Sequence, residues 1–282
     1  MKKWNLVIDV AKCENCHNCS LAVKDEHIGN SFPGYAAPQP KHGHEWIKIE
    51  RRVRGEESMV DAAYLPTMCN HCDNAPCRAA APDAVHKRDD GIVLIDPEKA
   101  RGRRDLVDAC PYKAIWWNEE LQLPQIWIFD AHLLDQRWRE PRCAQSCPTG
   151  AIQALKVEDS AMASTASQQS LQVLKGELGT RPRVYYRNLH RFTSEFLGGS
   201  VTADVNGVTE CVEGAQVVLQ EQTKEKARSV TDTFGDFKFD GLARDGRYSV
   251  FVEHSRFGTA LVEVPLERSR YLGEIALRPS SR

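Results

Sequence analysis

The chain has 282 residues, 41% of them hydrophobic and 27% charged, with a net charge of −2. That length holds two ordinary domains, and the composition excludes a disordered chain. So neutral a balance suits neither nucleic acid nor an anionic membrane surface, and no apolar run reaches the roughly 18 residues of a spanning helix.

MKKWNLVIDV reads as a first β-strand; its apolar run is short and broken by Asp9, which rules out a signal peptide. CENCHNCSLAV (13–23) opens the ferredoxin run C-x2-C-x2-C-x3-C but carries Val23 where the fourth cysteine belongs. A Pro/Gly insertion follows at 28–43, and then CNHCDNAPC supplies Cys69, Cys72 and Cys77. APDAV (81–85) has the shape of a closing C-P segment with Ala81 in the cysteine's place. LIDPEKA (94–100) repeats VIDVAKC (7–13), setting Ala100, Arg103, Leu106 and Cys110 under Cys13, Cys16, Cys19 and Val23. CPYKAI (110–115) and CPTGAI (147–152) share C-P-x-x-A-I. Between them QIWIFDAHLL (125–134) stands where an opening CxxC belongs, ahead of Cys143.

Nine of the ten cysteines fall between residues 13 and 147 in tight groups, a pattern of metal ligation rather than of a secreted disulfide framework. In two-cluster ferredoxins the fourth cysteine of each run ligates the other cluster. An exchange between the first two groups would point each triplet at an empty position, Val23 or Ala81. A nested exchange closes: Cys13, Cys16, Cys19 and Cys147 form one set, and Cys69, Cys72, Cys77 and Cys110 another. The expectation is two [4Fe-4S] clusters. The leftover positions also close into two vacated sites, with Val23, Leu106 and the aromatic residues of QIWIF as apolar filling. One consists of Ala81, Ala100, Arg103 and Leu106. The other has Val23, the missing opening pair and the surviving Cys143.

Zinc and structural disulfides remain as other readings, although all-cysteine zinc uses two CxxC pairs rather than triplets with a distant C-P. His17 and His71 read as loop packing or as hydrogen-bond partners of a cluster sulfur. His42 and His44 end the insertion without a metal role, and Asp89-Asp90 and Glu119-Glu120 read as solvated. A redox sensor would need a helix-turn-helix or a basic stripe, and neither is found.

SAMASTASQQSLQVLKGELG (160–179) reads as a polar helix ending at Gly179, and RPRVYYRNL as an extended tie-back. From about residue 195 the texture is of short alternating strands: AQVVLQEQ, KARSVTDT, DFKFDGL, GRYSVFVEH, TALVEVPL, YLGEIAL. This pattern resembles the transthyretin-like, carboxypeptidase-regulatory-like domains and holds no catalytic constellation. Cys211 reads as an ordinary buried thiol. The expected fold class is α+β: two pseudo-symmetric ferredoxin-like [4Fe-4S] modules followed by an all-β transthyretin-like sandwich. Its divisions are 1–155, a helical and extended connector at 156–194, and 195–282.

IDxxKC, CNHCxxxPC, DGIVLID, CPYxAI and PRCxxxCPTGAI, in this order over roughly residues 3–190, resemble the iron–sulfur electron-transfer subunits of dimethyl-sulfoxide-reductase-type molybdenum enzymes. The resemblance implies two ferredoxin-like halves with up to four clusters. It also implies a large catalytic partner, in a heterodimer or higher assembly, holding a bis-pterin molybdenum cofactor. IERRVRG, IWWNEE, AHLLD and the added β domain look most like the branch that hydroxylates or transhydroxylates polyhydroxylated aromatics in anaerobic degradation. The family pattern places a third cluster at the positions of Val23, Trp127, Asp130 and Cys143, of which only the last is cysteine here. Asp130 offers a carboxylate beside it. A non-catalytic, cytoplasmic electron-transfer subunit is expected, with no nucleic-acid partner and no integral membrane segment. The alternative is a scaffold subunit whose clusters take no part in turnover.

Overall fold

A strand buried along nearly its whole length needs partners on both edges and cover on both faces. Strand β1 (Lys3–Asp9) is such a strand. In this computed structural model, which describes residues 1–278, it is the centre of a three-stranded sheet. Strands β2 (Ile47–Glu56) and β3 (Met59–Met68) form a hairpin after helix α1 (Asn18–His27). Helix α2 (Pro76–Ala80), with proline in its first turn, leads to the paired β4 (Val85–Lys87) and β5 (Val93–Ile95). Helix α3 (Asp105–Ala109) precedes a second small pair, β6 (Trp116–Asn118) and β7 (Leu123–Gln125). Helices α4 (Ala131–Asp135) and α5 (Arg142–Gln145) follow, then β8 (Ile152–Val157), α6 (Asp159–Gln168) and β9 (Val184–Arg187). β8 pairs antiparallel with β1 from Lys3↔Val157 to Ile8↔Ile152, and β9 pairs with it in parallel from Leu6↔Val184 to Asp9↔Arg187. These elements make one compact unit, Met1–Arg51 with Tyr64–Leu189.

Each passage of CxxC type turns through a left-handed residue at its third position, whether or not its cysteines are present. These residues are Asn15 (φ 59), His71 (φ 45), Gly102 (φ 77) and Phe129 (φ 57). The two C-P-x-x-A-I segments likewise turn at their fourth residue, Lys113 (φ 54) and Gly150 (φ 63). The polar helix expected to reach Gly179 stops at Gln168 instead. It buries only Met162, so nothing holds further turns, and Ser170 (φ 51) reverses the chain toward paired backbone hydrogen bonds between Gln172 and Tyr186.

The second unit joins residues 52–63, the outer part of the β2–β3 hairpin, to the chain from His190 onward. A short helix α7 (His190–Thr193) opens it, followed by β10 (Glu195–Val205) and β11 (Val208–Cys211). Then come β12 (Gln216–Glu221), β13 (Lys224–Val230), β14 (Asp236–Leu242), β15 (Gly246–His254), β16 (Gly258–Leu266) and β17 (Arg270–Ala276). One sheet has β10 between β17 on one edge and β11 and β14 along the other; the second runs β13-β12-β15-β16. Alternating residues such as Val217, Leu219, Phe237, Phe239, Val250 and Val252 fill the space between them, each large side chain contributing about 1.5–3 kcal/mol by burial. Cys211, expected to be buried, is exposed, because all four residues of the edge strand β11 face solvent. Residues 279–282, the end of the expected third division, lie outside the described residues.

Candidate metal centres

The first set of thiols is assembled by the β1–β8 ladder. The Asp9 amide donates to the Ala151 carbonyl at 2.8 Å, which brings the turn after Cys147 beside the turn before Cys13. α1 packs against α5, and the Ser146 hydroxyl donates to the Asn18 carbonyl at 3.3 Å. Cys16 is exposed, Cys13 and Cys147 are half-buried, and Cys19 is buried at the start of α1. Burial raises the pKa of Cys13; the Asn15 amide opposes this, and the nearby Cys147 and Cys16 thiols add to it. Cys19 is pushed up to about 12, again by burial first, with Cys13, Cys147 and Cys16 all contributing.

The second set shows the same mutual influence. Burial lifts Cys69 well above an ordinary thiol, and Cys77, Cys110 and Cys72 add to the effect. Cys72 and Cys77 are each raised to about 11, burial leading and Cys110 contributing to both. In each of these three, burial leads and the repulsion between neighbouring thiolates adds to it. All ten cysteines are free of disulfides. Among the described residues no three His, Cys, Asp or Glu side chains close around one point as a single metal ion requires. A lone zinc needs every sulfur about 2.3 Å from one centre.

The vacated positions are packed. Ala81, Ala100 and Leu106 are buried, and the Arg103 guanidinium donates to the Ala80 carbonyl at 3.0 Å. At the other, Val23, Trp127, Asp130 and Cys143 are all buried. Asp130 Oδ1 hydrogen-bonds His27 Nε2 at 3.1 Å and accepts from Trp127 Nε1 at 3.3 Å, while Oδ2 accepts the Arg142 amide at 2.8 Å. Both oxygens are thus committed, and one thiol remains where a cube needs four ligands. These residues do not fit a cluster.

The histidines are structural or loop residues. His44 Nε2 lies 2.9 Å from the Trp117 carbonyl. His71 Nδ1 accepts the Val93 amide at 3.0 Å and lies 4.0 Å from Cys69 Sγ; burial, with Lys87 beside it, lowers its pKa to about 3. Sequence reasoning missed two side chains at the second set. Thr180 hydrogen-bonds Cys72, and nothing in GTRPR marked it. Lys87 reaches two carbonyls of the Cys69–Cys72 loop, and nothing in APDAVHK marked it.

A family profile described as a 4Fe-4S dicluster domain matches residues 60–157, and one described as a carboxypeptidase regulatory-like domain matches residues 197–277. The chain is 47% identical over 256 residues to the pyrogallol hydroxytransferase small subunit of Pelobacter acidigallici, covering 90% of this chain and 91% of the relative. It is 33% identical over 193 residues to a tetrathionate reductase subunit of Salmonella typhimurium, covering 66% and 73%. With the iron–sulfur subunit of arsenate respiratory reductase from a Shewanella species it shares 35% identity over 117 residues, covering 41% and 45%.

Proposed function

The chain belongs to the iron–sulfur subunit family of dimethyl-sulfoxide-reductase-type molybdopterin enzymes, and from that premise we propose a specific cluster content and reaction for it. It is an electron-transfer subunit. Cys13, Cys16, Cys19 and Cys147 hold one [4Fe-4S] cluster, and Cys69, Cys72, Cys77 and Cys110 hold the other. The observation that carries this reading is the crosswise approach: Cys147 acts on Cys13 and Cys19, and Cys110 acts on Cys69, Cys72 and Cys77. The recurring left-handed turns and the matching pairs β1–β8 and β4–β5 support two pseudo-symmetric ferredoxin-like halves within residues 1–155, with 156–194 as connector and 195–282 as the transthyretin-like domain.

When bound, each cluster takes up and releases single electrons at a potential set by burial and by the groups around its sulfurs. The chain's own part is to give up the thiol protons on loading, to hold eight sulfurs in two fixed sets, and to exclude water from Cys19 and Cys72. Substrate chemistry belongs to a large partner subunit with a molybdenum bis-pterin cofactor, in a heterodimer or larger assembly in the cytoplasm. The likeness to a pyrogallol hydroxytransferase subunit supports a polyhydroxylated aromatic substrate. The loss of a third cluster favours transhydroxylation, which moves oxygen between aromatics with no net redox change, over a hydroxylation that must export electrons. Among the described residues no helix is long and apolar enough to cross a membrane.

The test is iron, sulfide and molybdenum analysis of the anaerobically purified complex, followed by dithionite reduction and EPR. About eight irons per small chain and two reducible cubane signals are expected. About four irons would overturn the assignment, and eight irons that stay redox-silent would favour the scaffold reading.

A further inference from the structure

The charges around the two thiol sets are unequal. Among the hydrogen bonds and ion pairs of the described residues, no lysine or arginine side chain reaches residues 13–19 or Cys147, whose side-chain contacts are with neutral groups. At the second set Lys87 points its ammonium into the cysteine loop. Its Nζ donates to the carbonyls of His71 (2.8 Å), Cys72 (3.0 Å) and Gly91 (3.0 Å) and pairs with Asp73 at 2.9 Å. The side chain is 12% exposed, so its field is weakly screened. Asp73 is shared rather than held by Lys87 alone: both of its oxygens also accept from Arg183 at 2.8 Å, and Arg183 in turn pairs with Asp159 at 3.0 Å. The turn that delivers the Gly91 carbonyl needs glycine: its φ is +88°, and a Cβ there would lie 2.9 Å from the Arg183 side chain.

We propose that Lys87 makes the second cluster the more easily reduced of the two, so that an electron entering the chain rests there. Adding an electron adds one negative charge, and a fixed cation held against the ligand loop stabilises the reduced form. The proposal rests on the two-cluster reading above.

The test is a potentiometric titration of the complete complex followed by EPR, which separates two midpoints. In Lys87→Met one midpoint falls while the other stays. At fixed ambient potential the ratio of reduced to oxidised second cluster drops on the order of tenfold, about 59 mV for a one-electron couple. Lys87→Arg keeps the charge and leaves the midpoint near its original value, and Asp73→Asn moves it upward. Equal shifts in the Met and Arg variants would reduce Lys87 to a loop support and overturn the proposal, as would an unmoved midpoint in both Lys87→Met and Asp73→Asn. If Lys87→Met loses iron, the direction of the Asp73→Asn shift decides. About four irons in the unsubstituted complex would instead overturn the two-cluster reading itself.

Discussion

At Asp130 three donors converge on a carboxylate with no solvent exposure. Replacing it by alanine leaves the Trp127 and Arg142 N–H groups and the His27 ring without their acceptor. Asp130→Ala is expected to lower stability by about 3 kcal/mol, read as a fall in melting temperature of the complex, with iron content unchanged. A loss of iron would mean that this carboxylate ligates metal. Cys143 and Cys147 make the matching contrast four residues apart: Cys143→Ala keeps its iron, whereas Cys147→Ala loses about four irons per chain. Glu195, in the second unit, is the residue for pH. Burial pushes its pKa up, but hydrogen bonds from Ser269 and Arg244 and the charge of Arg52 prevail and hold it at about 2, below the ordinary 4.5. A depressed carboxyl stabilises the fold above the unfolded pKa, and that contribution fades as pH falls from about 4.5 through 2. Glu195→Gln is therefore expected to melt lower than the unsubstituted chain at neutral pH, with the gap closing as pH approaches 2 in circular-dichroism melts.

Among elements, the turn between β13 and β14 tests backbone geometry. Gly235 has φ +77° and its Cβ would sit 2.5 Å from the Val201 carbonyl oxygen, whereas Gly214, at φ +79°, has open space around it. Gly235→Ala should cost more than the roughly 1 kcal/mol expected of Gly214→Ala, measured by denaturant unfolding. The strands of the second unit were legible because one face of each is buried, and burial on one face writes alternation into the residues. GRYSVFVEH is β15 from end to end. The repeat of VIDVAKC in LIDPEKA was legible too, and β1 and β5 run into their loops through it. The adherence of residues 52–63 to the second unit was not, since IERRVRGEESMVDAA reads as any exposed hairpin. Its partners are ion pairs distant in sequence, such as Arg54 with Asp240 at 2.7 Å. Phe129 was also hidden: a bulky residue at φ 57 is a poor local choice. Stacking on Trp127 at 4.9 Å and contact with His71 at 5.4 Å hold it there.

For the whole chain, the two units differ in what sustains them. The first buries an apolar core around β1, but its cysteine passages run through helices of four or five residues and loops tied by the proposed clusters, while the second is held by the core between its two sheets. Stripping iron with a chelator under oxidising conditions is expected to unfold the first unit and leave the second folded. All six tryptophans (4, 46, 116, 117, 127 and 138) lie in the first unit, so their fluorescence follows its loss while circular dichroism follows the surviving strands.

The central place of β1 also governs how the protein is made. The ribosome delivers this strand well before both of its neighbours, Ile152–Val157 and Val184–Arg187. A nascent chain halted near residue 150 would already display the nine cysteines of the first unit but lack every strand that flanks the first one. Such a sheet closes only near the end of that unit's translation, so on the proposed assignment the first cube is completed only after Val184–Arg187 has been made.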